Sequence, residues 1–275
     1  MSSAFQWPLG YSSPVHHHDG LIELRARIPR FHEARVDCVE TAITWSWEED
    51  AYVLYAEELK RLIGMWQDGG IRVWSVHVPS GRTIDISHRE YANRGIELVS
   101  GYMDVCARMG VDKVVLHPSY EPIATNDRPQ RIATAQQSIR ALHHPGVRIA
   151  VETLPRTCLC NTMAETVALL APLSGLAYAC VDVNHCHRDP PEQVIAAVAD
   201  RLITLHISDD DGLDEKHWYP GKGVLNWNAI IKALEDADYT GCFLYELSGK
   251  DEDPMDIRRN FDGLLEAYAQ SKQTN

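Results

Sequence analysis

Val147-Arg148-Ile149-Ala150-Val151-Glu152 and Leu176-Ala177-Tyr178-Ala179-Cys180-Val181-Asp182 decide the fold. Each is a strand-length, nearly continuous apolar run that stops at a carboxylate. Continuous rather than alternating apolarity is the pattern of parallel strands covered on both faces. The same run recurs on either side, at 36–40, 71–77, 111–117, 202–206 and 242–246, and each copy stops at an ionisable residue: Glu40, His77, His117, His206 and Glu246. The termini fall 24 to 40 residues apart, the beat of a strand followed by a crossover helix.

The segments between the runs carry helical spacing. Leu21, Leu24 and Ile28 form one stripe, and Leu54, Leu59, Leu62, Ile63 and Trp66 form another that stops at Gly69-Gly70. Asp253-Pro254 makes an N-cap and first-turn pair for a closing helix with Ile257, Phe261, Leu264, Leu265 and Tyr268 on one face. An eighth strand is expected around residues 5–11. The sequence therefore predicts one (β/α)8 TIM barrel over residues 1–275, a length usual for such a barrel. A doubly wound open sheet is the alternative, but no Gly-x-Gly-x-x-Gly loop follows an early strand.

Composition narrows the function. With 45% hydrophobic and 24% charged residues the chain can bury a large core, which excludes disorder. Its 26 basic and 39 acidic residues leave a formal charge of -13, which disfavours nucleic acid as a partner. Seven cysteines, an odd number, fit a reducing, cytoplasmic compartment. Neither a signal-peptide pattern nor an apolar run long enough for a membrane span is found, so neither secretion nor membrane insertion is expected. His16-His17-His18 reads as a surface loop, and a homo-oligomer is compatible with an acidic barrel but marked by no seam.

In a barrel, the residues that end the strands project from the C-terminal rim and converge on one pocket. Carboxylates and imidazoles gathered there are costly to desolvate unless a cation compensates them, so the ring predicts a divalent metal site. Taken singly, a histidine at a strand end is an ordinary hydrogen-bonded residue; the argument rests on the set.

Val151-Glu152-Thr153, Asp182-Val183-Asn184-His185, Leu205-His206-Ile207-Ser208-Asp209, His217-Trp218-Tyr219-Pro220-Gly221-Lys222-Gly223 and Tyr245-Glu246 resemble the xylose-isomerase-like barrels. That superfamily comprises sugar and sugar-phosphate isomerases and epimerases and also the endonuclease IV type of apurinic-site nuclease. The resemblance implies that Glu152, Asp182, His206 and Glu246 hold one divalent ion, with Mn first and Mg or Co next for so oxygen-rich a set. It implies that Glu152 and Glu246 move a proton on a carbohydrate whose enediolate the ion stabilises. His77, His117, His185 and His217 are implied to contact substrate, with Arg156 a candidate clamp for an anionic group. Trp45 and Trp218, on rim loops, are candidates to stack on a sugar face; Trp74 reads as core.

The ketose 3-epimerase branch has a second carboxylate six residues beyond the first metal ligand, where this chain has Cys158. The nuclease branch uses nine ligands for three zinc ions. Eight are matched by His77, His117, Glu152, Asp182, His185, His206, His217 and Glu246, and Glu215 would have to serve as the ninth. A Zn-dependent phosphodiesterase is therefore the second reading, opposed by the net charge and by Asp209-Asp210-Asp211, which reads as a solvated acidic loop beside the site. A keto-sugar or polyol-acid dehydratase or lyase could use the same metal. A non-catalytic barrel would show the loss of a metal ligand, and all four are present. The Pro220–Gly223 stretch reads as a plain turn, with phosphate binding the alternative.

Overall fold

The computed structural model describes residues 7–17, 20–44, 52–249 and 252–274. Eight parallel strands alternate with helices in the order β1 (Leu9–Ser12), α1 (Gly20–Glu33), β2 (Cys38–Thr41), α2 (Ala56–Asp68), β3 (Arg72–His77), α3 (Ala92–Arg108), β4 (Lys113–Leu116) and α4 (Arg128–Ala141). β5 (Arg148–Glu152), α5 (Met163–Leu170), β6 (Ala177–Asp182), α6 (Pro191–Ala197), β7 (Leu202–His206), α7 (Trp227–Asp236), β8 (Phe243–Tyr245) and α8 (Pro254–Thr274) complete the chain. The strands form one sheet ordered β7-β6-β5-β4-β3-β2-β1-β8. The amide of Ile207 donates to Leu244 O at 2.8 Å and that of Glu246 to Ile207 O at 3.1 Å, which joins β7 to β8 and closes a (β/α)8 TIM barrel. The expected first strand is present but begins at Leu9 and runs to Ser12.

Strand periodicity explains why the ionisable residues meet. Alternate residues of a strand face opposite sides of the sheet. On β4, Val114 and Leu116 pack in the large cluster between sheet and helices, while Val115 joins Ala150 of β5 and Cys180 of β6 in a separate small cluster within the barrel. Two residues further along each of those inward columns stand His117, Glu152 and Asp182. On β8 the inward column is Cys242, Leu244, Glu246, and Cys242 and Leu244 pack with Cys38 near the other end of the barrel. Gly10 of β1 leaves room there, since a Cβ on it would lie 2.2 Å from Cys242 Sγ.

The turns that feed the strands repeat one device. After α1, α2, α3 and α7 a single left-handed residue ends the helix: Arg35, Gly70, Gly110 and Asp238, with φ of 52°, 75°, 72° and 49°. The next, apolar residue then donates its amide to the carbonyl five positions back, as Val36 does to Phe31, Ile71 to Trp66, Val111 to Cys106 and Tyr239 to Leu234. This is the Schellman closure, which satisfies helix carbonyls and drives the following apolar residue into the core. A Cβ on Gly110 would meet nothing within 4 Å, so only backbone conformation resists a side chain there. Gly110→Ala should therefore destabilise the protein by about 1–2 kcal/mol with no loss of packing, read as a lower urea midpoint; an unchanged midpoint would show that the left-handed turn carries no such strain.

Candidate metal centre

The residues at the ends of β3, β5, β6 and β7 and those just past β4 and β8 surround one point at the C-terminal rim. One ligand atom each from Glu152, Asp182, His206 and Glu246 lies within 4.8 Å of the others, the four residues named as metal ligands from the sequence. Glu152 sits at the middle. Its Oε2 is 3.1 Å from His77 Nε2 and 3.0 Å from His117 Nε2, and its Oε1 is 3.2 Å from His206 Nδ1 and 3.4 Å from His185 Nδ1. Glu246 Oε2 lies 3.1 Å from His206 Nδ1. Asp182 and His206 are fully buried, and Asp182 Oδ2 makes no hydrogen bond. A buried carboxylate oxygen without a hydrogen bond, facing an imidazole nitrogen and two further carboxylates, is chemistry that a divalent cation satisfies. The donor set therefore fits the ion.

The structure adds Glu40, noted in the sequence as a strand terminus but given no role there. It is fully buried, accepts a 2.7 Å bond from Ser75 Oγ, and places Oε1 3.0 Å from His206 Nε2. A carboxylate on the far nitrogen of a ligating histidine fixes the ring and leaves Nδ1 for the ion.

Two further groupings share members with the first: His77, His117 and Glu152, and Asp182, His185 and His217. His185 lies 3.2 Å from Asp182 Oδ2, and its Nε2 is 2.9 Å from Glu215 Oε2. Burial disfavours a proton on His77, but Glu152, with Glu40 and Glu246 behind it, overrides that and raises its pKa to about 9. Burial likewise opposes charge on His185, and Asp182, Glu215 and Glu152 raise it to about 10. Desolvation lifts Asp182 to about 6. Glu152 and Glu246 are held low against their own burial, Glu152 by His117 and His206 and Glu246 by His206 and His217.

A cavity of about 520 Å³ opens over this cluster, lined among others by His77, His117, Glu152, His185, His217 and Glu246. Arg156 also lines it, but as a clasp rather than a free clamp. Its guanidinium meets Glu121 at 2.7 Å, Asp214 at 3.0 Å and Glu215 at 2.8 Å, ties that the sequence did not reveal because they join separate loops. Cys158 is on the wall, with a thiol pushed up to about 12 chiefly by burial. Trp218 does not line the cavity; it is 39% exposed, with its backbone bridged to Asp209. Trp45 lies outside the described residues. Trp74 is part-buried against Cys38, Cys242 and Leu244 in the barrel, as its reading as core requires.

The acidic triplet is not a solvated loop. Asp209 and Asp210 are buried, and Asp209 accepts from the amides of Gly221 at 2.8 Å and Leu225 at 3.2 Å and from Trp227 Nε1 at 2.9 Å. Its carboxylate is consumed in holding the loop, so of the triplet only Asp211, 30% exposed and 3.2 Å from Lys216 Nζ, faces solvent. A Cβ on Gly223 would lie 2.0 Å from Asp210 O, so this Pro-Gly-Lys-Gly stretch is a turn wrapped on Asp209.

The family model described as the xylose isomerase-like TIM barrel matches residues 30–267. The chain belongs to that family. An uncharacterized protein, y4fM of Sinorhizobium fredii, is 26% identical over 72% of this chain and 74% of its own length. An inosose isomerase of Bacillus licheniformis is 26% identical over 58% of this chain and 61% of its own. Among solved structures, a D-tagatose 3-epimerase-like protein superposes with a TM-score of 0.74 at 18% identity, over 95% of this chain and 98% of that one. Distant neighbours of the fold are thus sugar epimerases, and among the described residues no helix is long and apolar enough to cross a membrane.

His77 and His185 hold a proton in the folded metal-free protein that unfolded histidines release near 6.5. Their stabilising contribution is complete below that pH and is lost as pH rises through about 9 to 10. Chelator-treated protein should therefore show a Tm that falls from pH 7 to pH 10, and less steeply once Mn is restored. A flat profile without metal would contradict charged imidazoles at this centre.

Proposed function

We propose that the protein is a metal-dependent isomerase or epimerase of a carbohydrate or a related polyol, built as one barrel domain over residues 1–275. The observation that carries this reading is the pair Glu152 and Glu246, which line one cavity while sharing a metal-capable cluster with Asp182 and His206. An ion held by these four, Mn first with Mg or Co as alternatives, would draw charge from a substrate carbonyl and its neighbouring hydroxyl. Glu246, 24% exposed, takes the proton from the adjacent C–H, and Glu152 returns one to the opposite face or to the neighbouring carbon. His185 and His217 bind substrate oxygens. The names of the inosose isomerase and the tagatose 3-epimerase-like protein support a keto-polyol substrate.

One observation favours a second reading. The three metal-capable groupings share Glu152 and Asp182, and Glu215 stands 2.9 Å from His185, where a ninth ligand is needed. Three zinc ions there would suit phosphodiester hydrolysis. Against it, the described cavity wall carries a single Lys or Arg, and three carboxylates already hold that Arg156.

Elemental mass spectrometry on protein purified without an affinity column separates the two. The sugar reading expects about one Mn, Mg or Co per chain, whereas two or three Zn would replace it with the nuclease reading. Glu246→Gln should lower turnover about 10²–10⁴-fold with the fold intact by circular dichroism; full activity would remove Glu246 from the proton path. Replacing His77 and His117 with Ala should leave the principal metal bound, and loss of all metal would count against the four-ligand site.

A further inference from the structure

A second cavity of about 440 Å³ adjoins the first, and nothing in the proton-transfer chemistry uses it. The two share Ser12, Pro14, His16, His217 and Glu246, so they meet at the Glu246 side of the metal-capable cluster. Pockets of roughly 300–1,000 Å³ hold ligands of drug size, and the first cavity already exceeds the lower bound. A lone sugar ring seated over Glu152 and Glu246 therefore leaves the second cavity unfilled.

Its lining has two characters. Tyr11, Val15 and Leu24 supply an apolar side, while His17, Glu23 and Ser248 bring polar groups. That mixture matches a second sugar ring, which presents C–H faces for apolar contact and hydroxyls that both donate and accept. The wall carries both signs, with Glu23 3.5 Å from His17 Nε2 and the Arg27 guanidinium donating to Glu252 O at 2.6 Å, so a neutral polyol ring matches it better than a purely apolar substituent or a polyanion does.

From this juxtaposition we infer that the substrate is a glycoside or disaccharide: the ring that reacts sits over Glu152 and Glu246, and a second ring occupies the adjoining lobe. This rests on the sugar reading of the first cavity and adds the size and chemistry of the substituent. A substituent on the reacting ring reaches the lobe past residues common to both cavities, Ser12 and His217 among them.

The test measures solvent deuterium incorporation by NMR with Mn-loaded protein, on a ketohexose and on the same ketohexose bearing a glycosidically linked glucose. The linked sugar should show at least a tenfold higher kcat/KM. Equal or lower kcat/KM for the linked sugar overturns the inference while leaving the sugar reading in place, and exchange into neither takes down both. Ser248→Trp, at an exposed position whose amide alone bonds to His217 O, fills the lobe and should reduce the advantage of the linked sugar to near parity at an unchanged Tm. An advantage that survives in this variant places the second ring elsewhere and likewise overturns the inference.

Discussion

Four carboxylates gather around one buried imidazole, and the barrel has to hold them there against their mutual repulsion. Glu40, Glu152 and Glu246 lie about 3 Å from a nitrogen of His206, and Asp182 Oδ2 lies 3.9 Å from one. Like charges at that density in a low-dielectric interior repel strongly, and removing any one from water is itself costly. Protons on the surrounding histidines answer part of this, and the raised pKa values of His77 and His185 are its signature. A divalent cation, which the donor set fits, would answer the rest. The barrel tolerates the cluster because eight strands support it from below with a packed interior, so the repulsion cannot relax by opening the sheet.

Much of this was legible in the sequence because strand geometry is periodic. Once seven apolar runs are seen to stop at Glu, His or Asp, the alternation of side chains places those residues on one rim, and the closing helix after Asp253-Pro254 falls where its cap predicts. The role of Glu40 was not legible: it holds the far nitrogen of His206, a contact between β2 and β7 that no local pattern reports. Asp209 and Asp210 misled for a related reason. A triplet of aspartates looks solvated until the loop that folds back over it is known, and the amides of Gly221 and Leu225 that bind Asp209 lie 12 and 16 residues away. Arg156 shows the same limit, since its partners come from the loops after β4 and β7.

The site also clarifies why a single fold hosts different chemistries. Glu152 belongs to two of the three metal-capable groupings and Asp182 to two, so the central four are common to a one-ion and a three-ion arrangement, and the outlying histidines with Glu215 are what would distinguish them. Changes at these outlying positions would alter how many ions the rim can hold while the central four stay in place.

Asp209 has a consequence for how the cavity opens. The buried Asp209 carboxylate, which takes the amides of Gly221 and Leu225 and the Trp227 indole, ties the stretch from Trp218 to Trp227 to the end of β7 through contacts sheltered from dissolved ions. The Arg156 clasp is the opposite case: its side chain is 43% exposed, and it joins three loops across the mouth through solvent-facing pairs that salt screens. Ionic strength therefore acts on the entrance and spares the floor, so that the shape of the mouth, rather than the cluster beneath it, responds to the salinity around the protein.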